Sequence, residues 1–179
     1  MTIAQKLQDF YTKNNLSTNG GGEDDWFYLH FKLFSLKLPN PSFRKKIIHI
    51  HDVQHVLYDC DVTWKGEAFI AGWEIATGMW KQFPIGIMSL WAMGFSLFVY
   101  PKEVFKGYVE GSKVNGLIDL NISKEALLQL TPPELKEKLT KTRPQRFVYI
   151  KYTFWVLVSS LILLAPVLLL ATVGWLLVF

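Results

Sequence analysis

The sequence predicts a mainly helical, all-α protein: one multi-helix domain followed by a C-terminal transmembrane helix. Three observations predict it. Residues 152 to 179 contain no charged side chain, and a hydrocarbon core of ~30 Å needs about 20 helical residues. Upstream, prolines stand where helices start, at Pro41, Pro84, Pro101 and Pro132, because the first helical position leaves its amide proton unused. Histidines recur at helical spacing, His51 and His55, just before a turn signal at Asp59-Cys60-Asp61.

The elements follow in order. Residues 1 to 16 mix Ile3, Leu7 and Phe10 with polar neighbours, an amphipathic first helix without the apolar core of a secretory signal. Ser17 to Asp25, with Gly20-Gly21-Gly22 and three acids, reads as a flexible loop. From Tyr28 to Leu38 an alternation of Leu29, Phe31 and Leu33 with His30 and Lys32 suggests a short strand, interrupted at Phe34. Asn40 is expected to cap a helix that begins at Pro41 and runs to Tyr58. Thr63 caps the next, to about Trp80. Pro84 opens an almost uncharged one through Tyr100, and Pro101 opens a fourth to near Gly116. Short helices start at Ser123 and Thr131, the latter with Pro132 first and Glu134 three after the cap. Phe83 to Tyr100 carries no charge over 18 residues. It is expected to be buried in the domain or to lie against a bilayer, with a second span as the alternative. The predicted divisions are residues 1–25, N-terminal helix and loop; 26–140, helical domain; 141–151, basic segment; and 152–179, anchor.

Composition supports a membrane before a purely soluble core: hydrophobic residues make up 50% and aromatics 15%. Cys60 is the single cysteine, so no intrachain disulfide forms. It is a small loop residue or a reactive thiol. The net charge of +4 is local. Lys136, Lys138, Lys141, Arg143, Arg146 and Lys151 cluster beside the apolar tail, against Glu134 and Glu137, and the remaining charges balance. Such a juxtamembrane segment suits anionic lipid and argues against nucleic acid as a partner. Pro166 is expected to kink the tail, with Tyr152 and Trp155 at one interface and Trp175 at the other. The reading is a single-pass tail anchor with the N-terminal domain in the cytoplasm.

Residues 51 to 67 carry the chemistry. His51 and His55 are four apart and share a helix face, and Asp52 lies at its edge. The turn after Tyr58 lets the chain reverse, so that Glu67 on the following helix can point back. Two imidazoles with carboxylates suit zinc, iron, manganese or cobalt and do not suit calcium. A set that leaves open positions permits catalysis, whereas structural zinc is closed and cysteine-rich. The alternative is a chance His-x-x-x-His pair. Glu74, seven residues past Glu67, either orients a histidine or pairs with a surface cation. Tyr58, Trp64, Trp73 and Trp80 flank the ligands and either line a ring pocket or pack in the core.

His51-Asp52-Val53-Gln54-His55, the eleven-residue gap to Glu67, and the following Trp73-Glu74 resemble the coenzyme Q biosynthesis protein four family, whose signature is His-Asp-x-x-His, about eleven residues, then Glu. Leu38-Pro39-Asn40 with Arg44 before the motif, and Tyr108-Val109-Glu110-Gly111, Leu117 and Leu135 after it, extend the similarity over roughly residues 26 to 140. The resemblance implies a helical fold, membrane association, a metal at His51, Asp52, His55 and Glu67, and a cleft for a prenylated lipid. It also implies a role in ubiquinone synthesis, where a ring carboxyl is replaced by hydroxyl in an oxidative decarboxylation, a lyase-type step. The C-terminal anchor departs from ordinary members, which are peripheral, so the resemblance does not fix the substrate as the ubiquinone precursor.

The expected function is therefore a membrane-anchored, metal-dependent enzyme acting on a prenylated quinone precursor or a related lipid. The alternative is a non-catalytic prenyl-lipid-binding scaffold that organises a biosynthetic complex or acts as a homodimer. A lipid hydrolase ranks last, since no Gly-x-Ser-x-Gly motif is present.

Overall fold

Thr2 and Gln5 start the first helix by capping one another. The Gln5 amide donates to Thr2 Oγ1 at 3.4 Å, and the Thr2 amide donates to Gln5 Oε1 at 2.9 Å. This is a computed structural model describing residues 1–30, 33–143 and 145–178. Its elements are α1 (Ile3–Lys13), β1 (Trp26–His30), β2 (Ser35–Pro39), α2 (Ser42–Tyr58), α3 (Trp64–Thr77), α4 (Ile85–Val99), α5 (Pro101–Ser112), α6 (Lys124–Gln129), α7 (Pro132–Leu139) and α8 (Val148–Val178). The chain is mainly α with a C-terminal apolar helix, as the sequence predicts. It divides into two units: Met1–Asp61 with Leu117–Leu139, and Val62–Gly116 with Thr140–Phe179.

In the first unit, α1 buries Ile3, Leu7 and Tyr11 along one stripe and packs on α2 and α6. The Ile3 amide donates to the Leu130 carbonyl at 2.7 Å, tying α1 to the end of α6. α2 contributes Ile48, Val53 and Leu57, and α7 contributes Leu135 and Leu139. Where the sequence suggests one strand over Tyr28 to Leu38, there is a hairpin. β1 and β2 pair antiparallel, with Trp26 opposite Pro39 and His30 opposite Ser35. Phe27 and Leu29 share a face with Leu38 and Leu36, which is the alternation the sequence shows on each side of Phe34. Phe31 and Lys32 of that alternation lie outside the described residues.

Asn40 does not cap α2. Pro41 holds that position, with no side-chain hydrogen bond. The Asn40 amide instead donates to the carbonyls of Gly21 and Asp24 at 2.9 and 2.8 Å, and its oxygen accepts from Arg44 at 3.0 Å. Asn40 thus pins the glycine-rich loop, because an amide with donors and an acceptor satisfies several loop groups at once. α7 starts as predicted, with the Thr131 amide donating to the Glu134 carboxylate at 2.8 Å.

The second unit is built on small residues. A Cβ at Gly72 would strike the Val104 carbonyl, and one at Gly107 would strike the Phe69 carbonyl, so α3 and α5 meet backbone to backbone. Gly111 also brings α5 close to the backbone of Trp73, which is fully buried. α4 packs on α3 and on α8. α3 stops at Thr77, short of Trp80, because Gly78 adopts φ 94° and a 3₁₀ turn, Met79–Lys81, follows. α5 ends at Ser112 rather than near Gly116. α4 has 15 residues, about 22 Å at 1.5 Å per residue, which is shorter than a bilayer core. Among the described residues one helix is long and apolar enough to cross a membrane, Val148–Leu176. It keeps Pro166 within the helix.

Candidate metal centre

α2 carries the two imidazoles, and the way it ends orients one of them. Asp59 closes the helix in the left-handed region at φ 51°. The next residue then folds back: the Cys60 amide donates to the His55 carbonyl at 3.0 Å. The Cys60 carbonyl in turn lies 3.3 Å from His55 Nδ1. A carbonyl only accepts, so His55 Nδ1 carries the proton and Nε2 presents its lone pair. Metal-binding histidines are held in this way, the remote nitrogen donating to a backbone oxygen. Phe10 from α1 stacks on the His55 ring, centroids 5.5 Å apart and planes 29° apart, and His55 is 1% exposed.

His51 Nε2 stands 3.2 Å from His55 Nε2. Two imidazole nitrogens bound to one ion at about 2.0–2.1 Å and at angles between octahedral and tetrahedral are separated by roughly 2.9–3.4 Å. The pair is therefore spaced as two ligands of one ion would be. Glu67, the carboxylate the sequence adds to the pair, stands in the first turn of α3. His51 and Glu67 are partly exposed while His55 is buried. Two imidazoles at this spacing can hold a divalent metal and leave coordination positions open.

Asp52 Oδ2 accepts a hydrogen bond from the Tyr11 hydroxyl at 2.9 Å, in a buried contact between α2 and α1. Burial, followed by the Asp52 charge, pushes the Tyr11 hydroxyl well above its ordinary pKa, which keeps it a donor. Gly20, at φ 64°, closes over this pair, and a Cβ there would collide with the Asp52 carboxylate and the Tyr11 hydroxyl. The loop read from sequence as flexible therefore makes a close contact at Gly20.

The other predicted residues disperse. Glu74 is buried and accepts from Ser89 Oγ at 2.7 Å. Tyr58 is half-buried, with Lys136 Nζ 5.3 Å above its ring. Trp64 packs on Phe95 with centroids 4.6 Å apart, and Trp80 packs on Trp155 at 4.8 Å. Trp73 belongs to the core of its unit. His49 is held below the ordinary imidazole pKa by burial and then by the nearby Lys124 ammonium, and it stands outside the group. Sequence reasoning missed Tyr11, Phe10, Gly20 and the Cys60 carbonyl. The signal available was the stripe Ile3, Leu7, Tyr11, which sets Tyr11 on the buried face of α1. Comparison with known proteins returns nothing: no family model, no curated protein and no solved structure matches this chain.

Proposed function

We propose that the chain is a membrane-anchored, metal-dependent enzyme that acts on the ring head group of a prenylated quinone precursor or a related lipid. The observation that carries the metal part is the 3.2 Å approach of His51 Nε2 and His55 Nε2, with the His55 tautomer fixed by the Cys60 carbonyl; Glu67 is the carboxylate ligand that the resemblance implies. The lipid part rests on the resemblance of residues 26 to 140 to the coenzyme Q biosynthesis protein four family and on the apolar helix Val148–Leu176. Zinc, iron, manganese and cobalt all suit the donors.

When bound, the metal would supply Lewis-acid polarisation of a ring carboxylate or phenolate. The chain's own residues hold it ready. Phe10 and the Cys60 carbonyl fix the His55 ring. The partial exposure of His51 and Glu67 leaves a side open to a substrate. The helix α8 would keep the protein at the bilayer, so that a prenylated substrate need not cross water. The reaction implied by the resemblance is replacement of a ring carboxyl by a hydroxyl: the carboxyl leaves as carbon dioxide, dioxygen supplies the hydroxyl oxygen, and its second atom becomes water with two electrons from the ring and two from an added electron donor.

The test is metal content per chain in detergent-purified protein, together with carbon dioxide release from a carboxyl-labelled prenylated hydroxybenzoate in the presence of dioxygen and an electron donor. Wild type is expected to bind about one ion, with His51→Ala and Glu67→Gln losing it at least tenfold, as loss of a ligand should. Equal metal in all three proteins rejects the site. Normal metal dependence without carbon dioxide release rejects the enzyme and leaves a metal-bound lipid scaffold.

A further inference from the structure

We propose that α4 is a membrane-embedded helix whose bare side is covered by lipid. This rests on α8 lying in a bilayer, as proposed above, and goes beyond it by placing part of the folded second unit in the same apolar layer.

The argument begins with α8. Its inward side packs through Tyr152, Trp155, Val156 and Ile162 on the core formed by α3, α4 and α5. Its outward side over the same stretch is also apolar and bare: Phe154 is 55% exposed, Leu157 61%, Leu161 62% and Leu164 41%. A helix that covers a water-soluble domain shows charged and polar residues on its outer side. This stretch shows no charge and, apart from Thr153 and the half-buried Ser160, only apolar side chains on that side, so its surroundings are apolar on both sides. Lys151 carries the last charge before it.

α4 meets α8 within that stretch. Gly94 comes so close that a Cβ would strike the Ser159 carbonyl, with Leu163 alongside. Ser159 and Leu163 follow Lys151 by about 12 and 18 Å along a helix axis, at 1.5 Å per residue, which is well inside a ~30 Å hydrocarbon core. α4 therefore shares that depth.

The residues of α4 fit such a place. Phe83 to Tyr100 contains no charge, and Phe83 is 84% exposed, Ile87 51%, Phe98 67% and Val99 46%. Ile87 and Phe98 are eleven residues apart, about three turns, and so lie on the same side. Large apolar side chains left bare along an uncharged helix mark a surface that something apolar covers. Lipid is the occupant that is continuous with α8. Lys81 and Lys102 flank the segment. At 15 residues the helix is too short to cross by itself, so it is embedded without spanning.

The test uses the full chain carrying Cys60→Ser, reconstituted in phosphatidylcholine bilayers containing phosphatidylglycerol. Nitroxide labels are placed singly by Ile87→Cys, Phe98→Cys, Leu161→Cys and Lys113→Cys, all at exposed positions, so packing is preserved. Collision rates with dissolved oxygen and with a water-soluble nickel chelate are compared. Labels at 87 and 98 should follow 161, favouring oxygen by at least several-fold over the label at 113. If 87 and 98 meet nickel while 161 does not, the embedded helix is overturned and the anchor stands. If they are shielded from both reagents, a second protein copy covers α4 and the proposal is equally overturned. Nickel access at 161 as well removes the anchor itself.

Discussion

Asp52 and His55 are three residues apart on α2, yet their partners differ because a helix turns them to different neighbours. His55 shares its face with His51 at 3.2 Å. Asp52 receives the Tyr11 hydroxyl at 2.9 Å. A hydrogen bond to a charged acceptor contributes about 1.5–3 kcal/mol. Tyr11→Phe removes the hydroxyl and keeps the ring, so it should lower stability by about 2 kcal/mol in thermal or urea unfolding while leaving metal content unchanged. Gly20→Ala tests the same pair from the loop side. The added methyl meets the carboxylate and hydroxyl, and the backbone at φ 64° disfavours alanine. A loss of about 1–3 kcal/mol is expected, since a forced methyl in a packed site costs that much. Wild-type stability in both variants would mean that Asp52 does not hold α1 to α2.

Elements were legible wherever a local rule decides them. Pro101 and Pro132 open α5 and α7, Thr131 and Glu134 cap α7, and Asp59 ends α2, all from chemistry within four residues. The His51–His55 pair was legible for the same reason. The role of Asp52 was not, because its partner lies 41 residues away. Asn40 misled because its preference for capping competes with a distant loop that offers two carbonyls. Two predictions belong to this scale. Glu134 is held below the usual carboxylate range first by the Thr131 amide and then by its hydroxyl. Its folded pKa is lowered, so its support for α7 is present above the unfolded value near 4.3 and is lost as pH falls through the folded value. Carboxyl carbon chemical shifts should show Glu134 titrating at lower pH than a free glutamate, and Thr131→Ala should move it upward. The α3–α5 packing makes the second prediction. Gly107→Leu must push α5 away from the Phe69 carbonyl, with about 3 kcal/mol or more lost, whereas Gly174→Leu, where nothing lies within 4 Å, should have little effect on unfolding.

For the whole molecule, the proposed anchoring by α8 makes a prediction from the distribution of charge and apolarity. Arg143, Arg146 and Lys151 are exposed just before and at the start of the charge-free part of α8. Basic residues within 15–20 positions of a span hold their side of the membrane in the cytoplasm, because moving them across is disfavoured and anionic head groups attract them by about 1 kcal/mol each. Three such residues amount to roughly 3 kcal/mol, enough to make one orientation dominant by about a hundredfold. Replacing all three by glutamine should therefore turn a single orientation into a mixture. The measurement is protease access to the N-terminal side in sealed vesicles of known sidedness. Wild type should be cut from the cytoplasmic face alone, and the triple variant from both faces. Neutralising Lys6 and Lys13 in α1 makes a matched control, since α1 lies far beyond that range of the span along the chain. Unchanged orientation in the triple variant would show that the folded N-terminal residues, and not the basic cluster, set the topology.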